Sequence, residues 1–102
     1  MATYVLMTKL SADALQGSAG RRETGHGWKK KVEALCPGIR WVAHYALLGP
    51  YDFMDIYEAP DVETAHTVSI LSRAGGALTA ESWQIMPYDD FMKLLERVSD
   101  GR

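Results

Sequence analysis

The chain has 102 residues, the size of one domain, and residues 1–102 read as a single unit. An apolar share of 47% and a charged share of 24% are those of an ordinary globular protein. A formal net charge of -2 supplies no field that would gather nucleic acid or an anionic membrane, so neither is expected as a partner. No run approaches the ~20 apolar residues of a membrane span. The apolar stretch that follows Met1 is too short and too interrupted for a signal peptide. With Cys36 as the one cysteine, no internal disulfide can form. A cytoplasmic location is expected.

In chain order, residues 3–10 are rich in strand formers and predict a first strand. Ser11 offers an N-cap for a short helix through Ala12–Leu15. Gly17, Gly20, Gly25 and Gly27 follow, and each costs about 1 kcal/mol against alanine inside a helix. A break or loop is therefore expected within 16–25, as an ordered loop or a lid. Trp28, Val32 and Leu35 then recur at helical spacing until Cys36-Pro37-Gly38 stops the helix. Residues 39–48 and 51–58 predict two strands joined at Gly49-Pro50, which should pair as an antiparallel hairpin. Asp61 caps a helix whose expected buried side carries Ala65, Val68, Ile70 and Leu71, with Ala74 as a further candidate, and Gly75-Gly76 ends it. A fourth strand runs over 77–86. Pro87 opens a last helix with Asp89 and Asp90 in its first turn and an apolar stripe of Phe91, Leu94, Leu95 and Val98.

The order β-α-β-β-α-β plus a terminal helix predicts an α+β, ferredoxin-like fold. Two helices cover one face of a four-stranded antiparallel sheet. Alternation along the middle strands separates two faces. Met54 and Ile56, with Val42, Ala46 and Leu48, are expected to form the helix-covered core. Trp41, Tyr45, Leu47, Phe53 and Tyr57 are expected on the other face, which is too apolar for open water. A second copy of the same sheet is the simplest cover, so a homodimer or higher oligomer joined sheet to sheet is expected.

Tyr45-Ala46-Leu47-Leu48-Gly49-Pro50-Tyr51-Asp52-Phe53, followed by Glu58-Ala59-Pro60-Asp61, resembles the GYD-domain family. Its G-x-Y-D signature is met by Gly49, Tyr51 and Asp52. The resemblance implies a ferredoxin-like domain of the dimeric α/β-barrel type. It carries no catalytic residues over, because the family is largely uncharacterised. The chain departs from the family pattern in its glycine-rich segment and in Asp55, which stands where an apolar residue is common.

Asp55 is the sharpest chemical feature. A carboxylate in an apolar strand needs a partner or a raised pKa, and could serve as a general base or a ligand anchor. The plainer reading is an interface ion pair with Lys9 or Arg40. Glu81 and Trp83 share parity in the fourth strand. If they face the Asp55 side, Trp41, Tyr45, Phe53, Asp55, Tyr57, Glu81 and Trp83 line one aromatic cavity suited to a small molecule. The plainer reading leaves Glu81 exposed and Trp83 packed. Gly49, Tyr51 and Asp52 read first as turn-building residues. His44 is expected on the helix face as a satisfied core histidine. His26, His66 and Cys36 have no metal-ligand spacing, so neither a metal nor a cofactor is expected. Arg21, Arg22, Lys29, Lys30 and Lys31 read as a solvated helix face.

The functional expectation is an oligomeric domain that binds a small molecule in that cavity without established catalysis. Two alternatives stand beside it. One is a small-molecule enzyme of the dimeric α/β-barrel type, such as a cofactor-free oxygenase or isomerase, resting on fold analogy. The other is a structural protein-interaction module.

Overall fold

The computed structural model describes residues 1–12 and 17–101. Its elements are β1 (Ala2–Leu10), α1 (Ser18–Leu35), β2 (Arg40–Ala46), β3 (Phe53–Ala59), α2 (Val62–Ala74), β4 (Ala77–Ile85) and α3 (Tyr88–Asp100). The four strands form one antiparallel sheet in the order β2-β3-β1-β4, with α1 and α2 on one face. This is the expected ferredoxin-like arrangement with an added terminal helix.

Local chemistry explains α2 directly. The Asp61 carboxylate accepts from the Thr64 amide at 2.8 Å and the Thr64 hydroxyl at 2.6 Å, satisfying the first turn of the helix. Ala65 and Val68 are buried on its inner side, and the chain turns away at Gly75-Gly76. Tyr57, Leu6, Val32 and Val68 are the largest fully buried side chains, each contributing about 1.5–3 kcal/mol of burial. Tyr4 stacks on Tyr57 with ring centroids 5.5 Å apart.

The glycine-rich segment departs from expectation. The helix α1 runs unbroken from Ser18 to Leu35 through Gly20, Gly25 and Gly27. Its lower half is held by Trp28, Val32 and the following Cys36, all packed into the core, and that tertiary anchoring outweighs the glycine penalties. Most of the short helix expected over Ala12–Leu15 lies outside the described residues.

The assignment of sheet faces is also corrected. Cross-strand partners share a face. Tyr4 pairs with Tyr57, Leu6 with Asp55 and Thr8 with Phe53, and this is the helix-covered side. Met54 and Ile56, expected in the core, instead pair with Met7 and Val5 on the open side. Both faces of β3 are apolar enough to be buried, so alternation alone could not say which one the helices take. In β2 the register shifts between Trp41 and Ala43. The bulge at Val42 changes the phase of the strand. Trp41, opposite Tyr57, and His44, opposite Asp55, consequently both face the helices, although alternation would separate them.

Two apolar surfaces remain without cover among the described residues. One is the open sheet face, where Tyr45 is 54% and Trp83 44% exposed. The other is α3, whose Tyr88, Phe91, Leu94, Leu95 and Val98 are all exposed. No Cα of this helix comes within 8 Å of a Cα of another described element, and the molecule is 55 Å long but 18 Å thick. No described helix is long and apolar enough to cross a membrane.

Candidate functional site

The helical period places Arg21, Gly25, Trp28 and Val32 along the inner side of α1, with Arg22, His26 and Lys29 beside them. No Cα of α1 comes within 8 Å of a strand Cα, whereas α1 does approach α2. The bulky Trp28 and Trp41 stand in that gap, with ring centroids 5.3 Å apart. Gly25 adds no side chain to it: a Cβ there would meet only an Arg21 nitrogen, at 3.9 Å. The result is a cavity of about 560 Å³ between α1 and the strands β1, β2 and β3. That volume is typical of a small-molecule site.

The cavity has an aromatic wall, a cationic side and one acid. Trp28, Trp41 and Phe53 supply the aromatic surface. The Arg21 guanidinium lies 5.7 Å from the Phe53 ring centre and the Lys29 ammonium 5.6 Å from that of Trp41. Arg22 and His26 also line it. Asp55, 8% exposed, contributes the carboxylate, and its Oδ1 is 2.5 Å from His44 Nδ1. Burial pushes the Asp55 carboxyl above its ordinary pKa, while His44 and, more weakly, Lys29 pull it back. The His44 ring stacks on Phe53 at 5.5 Å. The indole N–H groups of Trp28 and Trp41 are both buried without an acceptor.

Of the residues singled out in the sequence, Trp41, Phe53 and Asp55 meet at this cavity. Tyr57 lies on the same side of the sheet but is sealed in the core, 0% exposed. Its hydroxyl bonds Ser82 Oγ at 2.7 Å, which in turn bonds Ser69 Oγ at 2.8 Å. Burial pushes the Tyr57 pKa up to about 12. Tyr45, Glu81 and Trp83 are brought elsewhere, to the open sheet face, because Glu81 pairs with Met7, Trp83 with Val5 and Tyr45 with Met54. The seven candidates therefore do not share one cavity. The ion pair expected for Asp55 is made with neither Lys9 nor Arg40: its partner is His44, and Arg40 pairs with Glu58 at 3.4 Å. His44 faces the helix side as expected, but its side chain is 62% exposed, so it is no core histidine.

Sequence reasoning missed Arg21, Arg22, Trp28 and Lys29 as cavity residues. Their spacing is the available signal, and it is lost if the helix is broken at its glycines. Arg22, Lys29, Lys30 and Lys31 are all exposed, as expected of a solvated helix face, although Arg22 and Lys29 also line the cavity. The Cys36 thiol is buried, and that burial, with Asp61 nearby, raises its pKa. Among the described residues, no three His, Cys, Asp or Glu side chains converge as metal ligands.

The β2–β3 connection carries the G-x-Y-D residues. Gly49 has φ +146°, a backbone conformation that side chains disfavour. The Asp52 carboxylate accepts from the Leu10 amide at 2.7 Å, and its own N–H donates to Thr8 O at 2.8 Å, tying the turn to β1. The Tyr51 hydroxyl donates to Glu81 at 3.3 Å, and its ring meets Trp83 edge-on at 6.1 Å.

Comparison with known proteins follows this geometry. A protein of Thermus thermophilus named "Glutamine synthetase and cystathionine beta-lyase binding protein" is 27% identical over 96 residues, which cover 94% of this chain and 100% of that protein. The family description "GYD domain" matches residues 4–95, a span that holds most of the sheet, the cavity and the G-x-Y-D turn. The chain belongs to the GYD-domain family.

Proposed function

We propose that this protein is a non-catalytic binding domain that works as a homodimer in the cytoplasm, joined through its open sheet faces, and holds a small molecule in the cavity under α1. The observation that carries the reading is the cavity itself: about 560 Å³, with an aromatic wall of Trp28, Trp41 and Phe53 beside a cationic side and the Asp55 carboxylate. The dimer and the cavity are compatible, because they use opposite faces of the sheet. Open-face residues Val5, Met7, Ala43, Tyr45, Met54, Ile56, Trp83 and Ile85 would be matched by the same residues of a second copy across a two-fold axis. Native mass spectrometry of protein purified without denaturation tests both parts. Support is an assembly of twice the chain mass that releases a small organic compound on activation. A bare monomer would sink the reading.

A second reading is favoured by α3. Its apolar stripe is uncovered, and the Thermus relative is named for binding two enzymes. Carried to this chain, the name makes a metabolic enzyme the protein partner and α3 the natural contact. Purified glutamine synthetase retained by the intact chain, and not by a chain ending at Pro87, would support that reading. Equal retention by both would remove α3 from it.

A further inference from the structure

We infer that the cavity under α1 is a site for a small organic carboxylate with a flat apolar body, held by aromatic rings on its body and by Arg22 and Lys29 on its anionic group. The inference rests on the small-molecule reading above and names the chemical class of that ligand.

Arg22 and Lys29 bring two cations to the cavity beside Arg21, and among the described lining residues Asp55 is the one carboxylate. That carboxylate is already engaged by His44. Arg22 and Lys29 are both exposed, so a neutral ligand leaves them to water, whereas an anion beside them gains charge-assisted hydrogen bonds. A cationic ligand would find its only counter-charge occupied.

The body of the ligand is set by the rings. Trp28 and Trp41 are tilted at 51° to each other, and Phe53 lies across the cavity under Arg21. Planar groups gain most from such surfaces, by stacking or edge contact. Lys29 stands over the Trp41 ring, so the anion-binding and ring-binding positions are one ring's width apart. An unsaturated or aromatic acid has this spacing within one molecule. A carboxylate suits Arg22 and Lys29 because it is an acceptor with no competing donor.

The test is isothermal titration calorimetry of the full chain with cinnamate, with its neutral isostere cinnamamide, and with acetate. Cinnamate is expected to bind about tenfold or more tighter than cinnamamide, the usual size of one charge-assisted hydrogen bond. Acetate is expected to bind far more weakly than cinnamate. In Arg22→Gln/Lys29→Gln the preference for cinnamate over cinnamamide should collapse, with residual affinity for both. Gly25→Leu projects a side chain into the cavity while removing no charged group and should abolish binding of both, its helix content being checked by circular dichroism. Equal binding of acid and amide overturns the inference while leaving the cavity a neutral-ligand site. Acetate binding as well as cinnamate reduces the site to a basic patch and also overturns it. Binding of none of the three, in a chain that native mass spectrometry finds without a bound compound, sinks the small-molecule reading with it.

Discussion

His44 and Asp55 face each other across the β2–β3 pair, Nδ1 to Oδ1 at 2.5 Å, on the side of the sheet that the helices cover. The bulge at Val42 puts them there by rephasing β2, so one irregular residue converts an unpartnered acid into a paired one. Burial still dominates the Asp55 carboxyl and holds its pKa above the ordinary 3.8, against His44 and Lys29. The folded chain therefore keeps a proton that the unfolded chain has released. Stability from this site is full below about pH 3.8 and is lost as pH rises through the folded pKa. In Asp55→Asn that loss is absent. Denaturant titrations across this range should show the variant gaining on the parent as pH rises from 3.8. A difference that is flat, or that moves the other way, would contradict the assignment.

Tyr57 behaves in the same sense at the alkaline end. Its pKa rises from 10.0 to about 12 in the folded chain. The unfolded chain loses the phenolic proton first, so stability falls between pH 10 and 12, by about 2–3 kcal/mol over the whole window. Tyr57→Phe should cost about 1 kcal/mol at neutral pH through the lost bond to Ser82, and should flatten the alkaline fall. Urea unfolding at neutral pH and again near pH 11 checks both. An alkaline fall of unchanged size in the variant would place its origin elsewhere.

Asp52 anchors the hairpin turn to β1 through the Leu10 amide. Removing the acceptor leaves a part-buried N–H without its charged partner. Asp52→Ala is expected to lose about 1–3 kcal/mol of stability in equilibrium denaturation. A change within a few tenths of a kcal/mol would mean that water replaces the carboxylate at no cost.

Ile56 sits on the open face, paired with Val5 and Ala43. Ile56→Glu puts a charge into the proposed dimer contact without entering the helix-covered core. Sedimentation velocity should show the parent as a dimer and the variant as a folded monomer. An unchanged dimer would move the interface off the sheet.

How far the sequence could be read follows from what each residue depends on. The helix α2 was legible because Asp61 and Gly75-Gly76 act locally, through bonds to neighbouring backbone. The β2–β3 hairpin was legible for a similar reason, since the turn that joins its strands is local. The face of β3 was not, since Met54 and Ile56 are as apolar as Phe53 and Tyr57, and the choice is made by where α1 and α2 pack. The continuity of α1 was missed because the penalty of its glycines is local while the compensation, at Trp28, Val32 and Cys36, is tertiary. That one miss hid the cationic side of the cavity. Asp55, Trp41 and Phe53 could be singled out by residue type alone. Grouping them with Arg22 and Lys29 required an intact helix.

The segment after Pro87 has a thermodynamic consequence of its own. A helix of 13 residues whose apolar side chains are left exposed by the described residues of its chain is near the length at which backbone hydrogen bonding alone barely holds in water. Its order is therefore set by whatever covers Phe91, Leu94, Leu95 and Val98, and so by mass action. On addition of the enzyme partner proposed for α3, the helical signal of this protein should grow by up to the share that α3 contributes while the sheet signal stays constant, which makes the terminal helix a built-in gauge of how much of the chain is in company.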